Sequence, residues 1–272
     1  MEKNMGQSKG NGMAKGIIIF GSASDSVVYA PLREELPDFE FRICSAHRSP
    51  AFLDRILEKE YGLIVAGAGL AAHLPGVIAS KTISPVIGIP CSGNFGGLDA
   101  LLSIVQMPPG IPVLCVGVDN HQEAARNARL MLQAYEGVYK GVTITGAQGV
   151  DPKRIAAAET VFSEYGIPCR VSPEIKEDGL NIVFVNLMKE APLLSDISDR
   201  ALCIGVPLCR ETRASDSLRL PELMGRGLWV GLNRAENAAL ACVQIMNHDG
   251  SFSAQLRHER QEMAEKIVRA NG

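Results

Sequence analysis

The 272-residue chain lacks any Cys-x-x-Cys pair, any long apolar run, any excess of positive charge, and any histidine between His121 and His248. Each absence removes a class of protein. The seven cysteines, Cys44, Cys91, Cys115, Cys169, Cys203, Cys209 and Cys242, are scattered, several inside apolar strand-like runs, and read as buried reduced thiols rather than a disulfide framework. His47 and His73 have no Cys or His close by in sequence to complete a short-spaced ligand set, so no metal is expected. A net charge of -3 leaves no basic footprint for nucleic acid. Apolar stretches are broken by Gly, Pro or charge well short of the ~20 residues of a membrane span. Residues Met1 to Ala14, rich in Gly, Asn, Lys and Ser, lack the apolar core of a secretory signal and are expected to be a disordered leader or cloning remnant. A soluble, cytoplasmic protein is the expectation.

What the chain does have is an internal echo. Gly16-Ile17-Ile18-Ile19-Phe20-Gly21 is matched by Gly141-Val142-Thr143-Ile144-Thr145-Gly146, and Phe41-Arg42-Ile43 by Cys169-Arg170-Val171. Leu63-Ile64-Val65 pairs with Asn181-Ile182-Val183, and Val86-Ile87-Gly88-Ile89-Pro90 with Cys203-Ile204-Gly205-Val206-Pro207. The register continues through Asp99 and Asp216, Met107 and Met224, Gly110 and Gly227, to Asn127-Ala128 and the Asn237–Ala241 run. Short β-branched runs alternate with amphipathic stretches, so each half reads as five strands each followed by a helix. The expected fold is α/β: two tandem flavodoxin-like or Rossmann-like three-layer modules, each a parallel sheet flanked by helices. The boundaries read as a leader at 1–14, a first module at 15–135, a second at 141–250 and a C-terminal helix at 251–272, with Gln133 to Lys140 as the junction. The helix predicted over Phe252 to Ala270 should pack on something, a neighbouring subunit included.

The halves differ where chemistry would sit. In open parallel sheets ligands bind beyond the carboxyl ends of the strands, at helix N-termini. There the first half places Gly21-Ser22-Ala23-Ser24-Asp25-Ser26, whose hydroxyls and backbone donors suit a phosphate and whose carboxylate suits sugar hydroxyls; a Ser/Asp helix cap explains the same residues. It is neither a Walker loop nor a Gly-x-Gly-x-x-Gly fingerprint. Next come Ser45-Ala46-His47-Arg48-Ser49-Pro50, with a guanidinium able to fork onto phosphate oxygens and an imidazole able to move a proton near neutral pH. Third is Ala66-Gly67-Ala68-Gly69-Leu70-Ala71-Ala72-His73, whose small side chains let the backbone approach a flat ligand. A lone histidine after a strand is ordinarily a satisfied polar residue or a cap; convergence of three loops is what favours a site. The second half carries Gly146-Ala147-Gln148-Gly149-Val150-Asp151, Val171-Ser172-Pro173-Glu174 and Val185-Asn186-Leu187-Met188-Lys189-Glu190 instead, keeping the fold signals without the acid/base groups.

On Gly-Ser-x-Ser-Asp at 21–25, Ser-Ala-His-Arg-Ser-Pro at 45–50, Ala-Gly-Ala-Gly-x-Ala-Ala-His-Leu-Pro-Gly at 66–76, Pro-Val-Ile-Gly-Ile-Pro at 85–90 and Gly-Leu-Asp-x-Leu-Leu-Ser-Ile-Val-Gln-Met-Pro at 97–108, the first half resembles the PurE family of purine biosynthesis. Arg48 and the Ala-Ala-His-Leu-Pro-Gly loop resemble its mutase class more than the class that carboxylates directly with carbon dioxide. The resemblance implies a mutase, or carboxylase-type isomerase, that moves a carboxylate from the exocyclic nitrogen to carbon 4 of aminoimidazole ribonucleotide through carbon dioxide, with no cofactor, metal or ATP. It implies His47 and His73 as catalytic residues, His47 being the acid/base; Ser22, Ser24, Ser45 and Arg48 at the phosphate, Asp25 at the ribose, Ala46 among the substrate-binding residues, and Gly69, Ala72, His73 and Leu74 shaping the base and carboxylate pocket. It implies a homo-oligomer: the family packs as octamers, and four two-module chains, a tetramer, would supply eight modules. Two departures stand out: Ser26 where the family commonly has Trp or another large residue, and Leu70 where it has a second Gly. They leave open a different heteroaromatic nucleotide as substrate, or a catalytically silent nucleotide-binding or assembly protein on the same scaffold.

Overall fold

The computed structural model describes residues 16–187, 197–210 and 214–271; the leader expected at 1–14 and residues 188–190 of the His73-loop counterpart lie outside them. The first half runs β1 (Ile17–Phe20), α1 (Ser26–Glu35), β2 (Glu40–Ile43), α2 (Pro50–Leu57), β3 (Ile64–Ala68), α3 (Leu74–Lys81), β4 (Val86–Pro90), α4 (Leu98–Val105), β5 (Leu114–Cys115) and α5 (His121–Leu132). A turn at Gln133–Glu136, ended by left-handed Gly137, leads into β6 (Val142–Thr145), α6 (Pro152–Glu164), β7 (Cys169–Val171), β8 (Leu180–Asn186), β9 (Leu202–Leu208), α7 (Leu220–Leu223), β10 (Leu228–Trp229), α8 (Ala235–Met246) and α9 (Ser253–Arg269). Among the described residues no helix is long and apolar enough to cross a membrane.

All ten strands join one mostly parallel sheet in the order β2-β1-β3-β4-β5-β10-β9-β8-β6-β7. The two five-strand runs read from the sequence thus meet edge to edge, through one antiparallel pairing of Cys115 with Trp229. Because that pairing is antiparallel, the carboxyl ends of β1, β3 and β4 and those of β6, β8 and β9 open on opposite edges of the sheet. The inner strands are buried on both faces, as a near-continuous apolar sequence requires, while β2 and β7 at the two edges stay partly exposed. Their side chains alternate: Ile18 and Phe20 enter the layer containing α1, α5, α6 and α8, while Ile17 and Ile19 enter the one containing α2, α3, α4 and α7.

Among the described residues one expected helix is missing, while the helix expected after β8 falls at 188–196, outside them. Between β7 and β8 the eight residues 172–179 form turns. Pro173 interrupts them, and buried Asn181 accepts from the Lys176 N–H and donates to the Lys176 and Gly179 carbonyls, drawing the segment against the sheet. That hydrogen bonding satisfies the backbone groups a helix would otherwise have paired.

Candidate active site

Strand order brings the three loops together. β2 and β3 flank β1 in parallel register, so the segments leaving their carboxyl ends, which carry His47, His73 and the Ser22–Asp25 turn, are immediate neighbours. They line one cavity of about 600 Å³. All eleven residues singled out in the sequence reach it: Ser22, Ser24 and Asp25 from the first loop, Ser45, Ala46, His47 and Arg48 from the second, and Gly69, Ala72, His73 and Leu74 from the third.

Local chemistry shapes each loop. Ser22 caps the turn after β1, its Oγ accepting from the Ser24 N–H at 3.2 Å and the Ser24 hydroxyl at 2.7 Å. Ser24 Oγ in turn donates to Asp25 Oδ1 at 3.2 Å. Asp25 Oδ2 is buried and unpartnered among the described residues. Burial pushes the Asp25 carboxyl above its ordinary range against the lowering Ser24 bond, and the Asp119 carboxylate adds to the rise. In the second loop Ser49 bonds back to Ser45, its Oγ accepting from the Ser45 N–H at 3.0 Å and donating to the Ser45 carbonyl at 3.1 Å. Pro50 then starts α2. Arg48 is positioned by Ser45 Oγ, which accepts from its main-chain N–H and Nε, while Nη2 reaches the Gly21 carbonyl at 3.1 Å.

His73 stands at the N-cap of α3 but its ring makes no capping bond. Instead its Nδ1 lies 3.0 Å from His47 Nε2, the rings edge to face with centroids 5.0 Å apart. One imidazole donates and the other accepts, so a single hydrogen bond links the two loops. Leu70 lines the cavity with left-handed backbone, φ 53°, and with 66% of its surface exposed, so it forms rim rather than floor. A glycine would tolerate that conformation better. Ser26 is exposed at the start of α1, outside the cavity lining.

Sequence reasoning missed Asp119. It follows β5 with φ 55°, donates its N–H to the Pro90 carbonyl and accepts from the Ser92 N–H, both at 2.8 Å. It thereby fixes the loop after β4 against the site, where Gly69 sits near the Cys91 and Ser92 carbonyls. A non-glycine left-handed residue gives no sequence signal beyond being Asp or Asn. Buried Cys91 is held well above the ordinary thiol range by desolvation and by the Asp25 and Asp119 carboxylates, which keeps it protonated. Among the described residues no three His, Cys, Asp or Glu side chains cluster as a metal site.

An α/β sheet with two touching imidazoles, a guanidinium and a hydroxyl-lined turn converging at its strand ends carries the groups that proton transfer on an anionic ligand would need. The AIR carboxylase family model matches residues 15–149, which contain the whole site. The N5-carboxyaminoimidazole ribonucleotide mutase of Methanocaldococcus jannaschii is 50% identical over 113 residues, 40% of this chain and 72% of that protein. That of Pyrococcus abyssi is 50% identical over 123 residues, 42% and 71% of the two chains. The phosphoribosylaminoimidazole carboxylase of Saccharomyces cerevisiae is 44% identical over 131 residues, 45% of this chain but 23% of that one. This chain belongs to the AIR carboxylase family.

Proposed function

We propose that the first half interconverts N5-carboxyaminoimidazole ribonucleotide and 4-carboxy-5-aminoimidazole ribonucleotide. The chain is a mutase or carboxylase-type enzyme, and the observation that carries the finer reading is the His47–His73 contact inside a cavity shared with Arg48 and Asp25. The substrate phosphate lies against the Ser22, Ser24 and Ser45 hydroxyls and Arg48, where charge-assisted bonds fix its position. A ribose hydroxyl donates to the unpartnered Asp25 Oδ2. A proton delivered by His47 to the exocyclic nitrogen lets its C–N bond to the carboxylate break, releasing carbon dioxide. Carbon 4 then attacks the carbon dioxide, and His47 takes the carbon 4 proton, returning to its starting state; His73 orients the ring through the 3.0 Å contact. Small residues Ala46, Gly69 and Ala72 keep the walls close, so the freed carbon dioxide is held near carbon 4.

The second half we read as a divergent copy that has kept the architecture and lost the chemistry. Its strand order, β7-β6-β8-β9-β10, repeats that of β2-β1-β3-β4-β5. Two hydrogen bonds are exchanged reciprocally: Glu123 of α5 accepts from the Gly227 N–H, and Asn237 of α8 accepts from the Gly110 N–H. In the assembly four chains stand in for eight modules, which a solution mass of four subunits would support and a monomer would refute.

The deciding experiment is ATP-independent turnover by the intact chain and by His47→Asn. The reading requires conversion by the first, and by the second retained fold and ligand binding with turnover down by at least ~10²-fold, the lower range for general acid/base loss. Normal turnover in the variant, or none in the parent despite nucleotide binding, overturns it.

A further inference from the structure

Leu70 adopts a backbone conformation that does nothing for the fold. Among the described residues five non-glycine positions have positive φ: Asp119, Asp178 and Asn233 are of the types whose short polar side chains tolerate it, whereas Leu70 and Phe95 are not. Both apolar side chains are also exposed, at 66% and 82%, so packing offsets the strain at neither. Strain that packing does not offset gathers where ligands are handled. Phe95 lies outside the lining of the histidine-bearing cavity, and Leu70 lies on it. A tight turn fixes it there, the Ala72 N–H donating to the Leu70 carbonyl at 2.8 Å, and His73, the next residue, reaches His47.

Strand order gives this residue one end of the ligand. In the run β2-β1-β3 the hydroxyls and the guanidinium that suit a phosphate, Ser22, Ser24, Ser45 and Arg48, leave β1 and β2. The loop after β3 is left to face the ring, and in its stretch Gly69-Leu70-Ala71-Ala72 only Leu70 has a side chain larger than a methyl group. Leu74, 3% exposed, forms the floor at that end, and Leu70 the rim. We propose that Leu70 is the specificity-determining contact of this site, its side chain folding across the heteroaromatic ring and shutting the cavity mouth, an assignment that takes the ring and the carbon dioxide from the mutase reading above. An isobutyl group laid on a flat ring removes apolar surface of both from water, so closure is favoured only when a ring is present. When the bond between the exocyclic nitrogen and the carboxylate breaks, the same side chain lies across the exit, and the freed carbon dioxide meets carbon 4 before it meets solvent.

Calorimetric titration separates the ring from the phosphate. Leu70→Ala keeps a β-carbon, and with it the backbone restriction, but should weaken aminoimidazole ribonucleotide by about fourfold, the worth of one buried methylene, while ribose 5-phosphate binds as to the parent. Leu70→Met should restore the lost affinity. During turnover of the unlabelled N5-carboxylated ribonucleotide in isotopically labelled bicarbonate, the parent should make product with little label, Leu70→Ala severalfold more, and Leu70→Met about as little as the parent. Equal weakening of both ligands, parental binding in Leu70→Ala, or parental labelling by a Leu70→Ala chain that turns over overturns the inference. A smaller solution mass for Leu70→Ala does so too, since the side chain would then be a contact between copies. Selective loss of ring affinity in Leu70→Ala, in a chain whose parent never turns over, would instead sink the mutase reading and leave the ring contact standing.

Discussion

Asp25 shows at the scale of one residue how function and stability pull apart. Its carboxyl is pushed up by burial, and one oxygen is buried without a partner among the described residues. A group that binds its proton more tightly when folded detracts from stability once the pH rises above its unfolded value, here the ordinary 3.8, and does so fully above its folded value. Asp25→Asn should therefore unfold at higher urea than the parent at pH 7, with the difference vanishing below that ordinary value, while ribonucleotide binding weakens. Equal midpoints at pH 7 would contradict the assignment. Arg48 belongs to the opposite case: Arg48→Gln should raise KM by ~10–100-fold, the worth of one or two charged hydrogen bonds, with a smaller effect on kcat. A change confined to kcat would place Arg48 at the reacting centre instead. These residues were legible in the sequence because residue type and strand-end position both pointed to them. Asp119 was not, since its role depends on a left-handed turn that brings it back to the loop after β4.

The inner strands were legible as elements because they are short apolar runs buried on both sides, and glycines inside them mark where a neighbouring side chain presses close. Gly88 in β4 and Gly205 in β9 occupy matching places. A Cβ on Gly88 would lie 2.5 Å from Ile104 Cγ2, and one on Gly205 2.5 Å from the Trp229 ring. Gly88→Ala and Gly205→Ala should each cost ~1–3 kcal/mol by overpacking, read as a lower urea midpoint at unchanged slope. A midpoint shift near zero would mean that Ile104 or Trp229 moves aside without strain. The helix expected between β7 and β8 failed for an elemental reason: the connection is eight residues long, contains Pro173, and has its backbone groups claimed by Asn181. Apolar spacing registers none of these side-chain to backbone bonds.

At the scale of the molecule, periodicity separates strand from helix but does not say which sheet edges will meet. The pairing of β5 with β10 therefore lay beyond the sequence, and its consequence is that the halves share their interior. One core layer runs from Ile18 and Phe20 through Ala124 to Ile144 and Phe162, the other from Ile17 and Ile64 to Val183 and Trp229. Asn237 ties them further. Only 1% exposed, it accepts from the Gly110 N–H at 2.8 Å and donates to the Pro108 carbonyl at 2.9 Å across the two halves. Truncating it removes two hydrogen bonds that join the halves, each worth ~0.5–1.5 kcal/mol, so Asn237→Ala should cost ~1–3 kcal/mol. Because the loss falls on a joint interior, it should move one common transition rather than detach a half. The single tryptophan, Trp229, sits at the junction strand and reports that interior by fluorescence, while circular dichroism reports all helices. Both signals should trace the same urea curve in the parent, and both should shift together in Asn237→Ala. Separate midpoints for the two probes would mean that the halves fold independently and that the shared sheet contributes little to their cohesion.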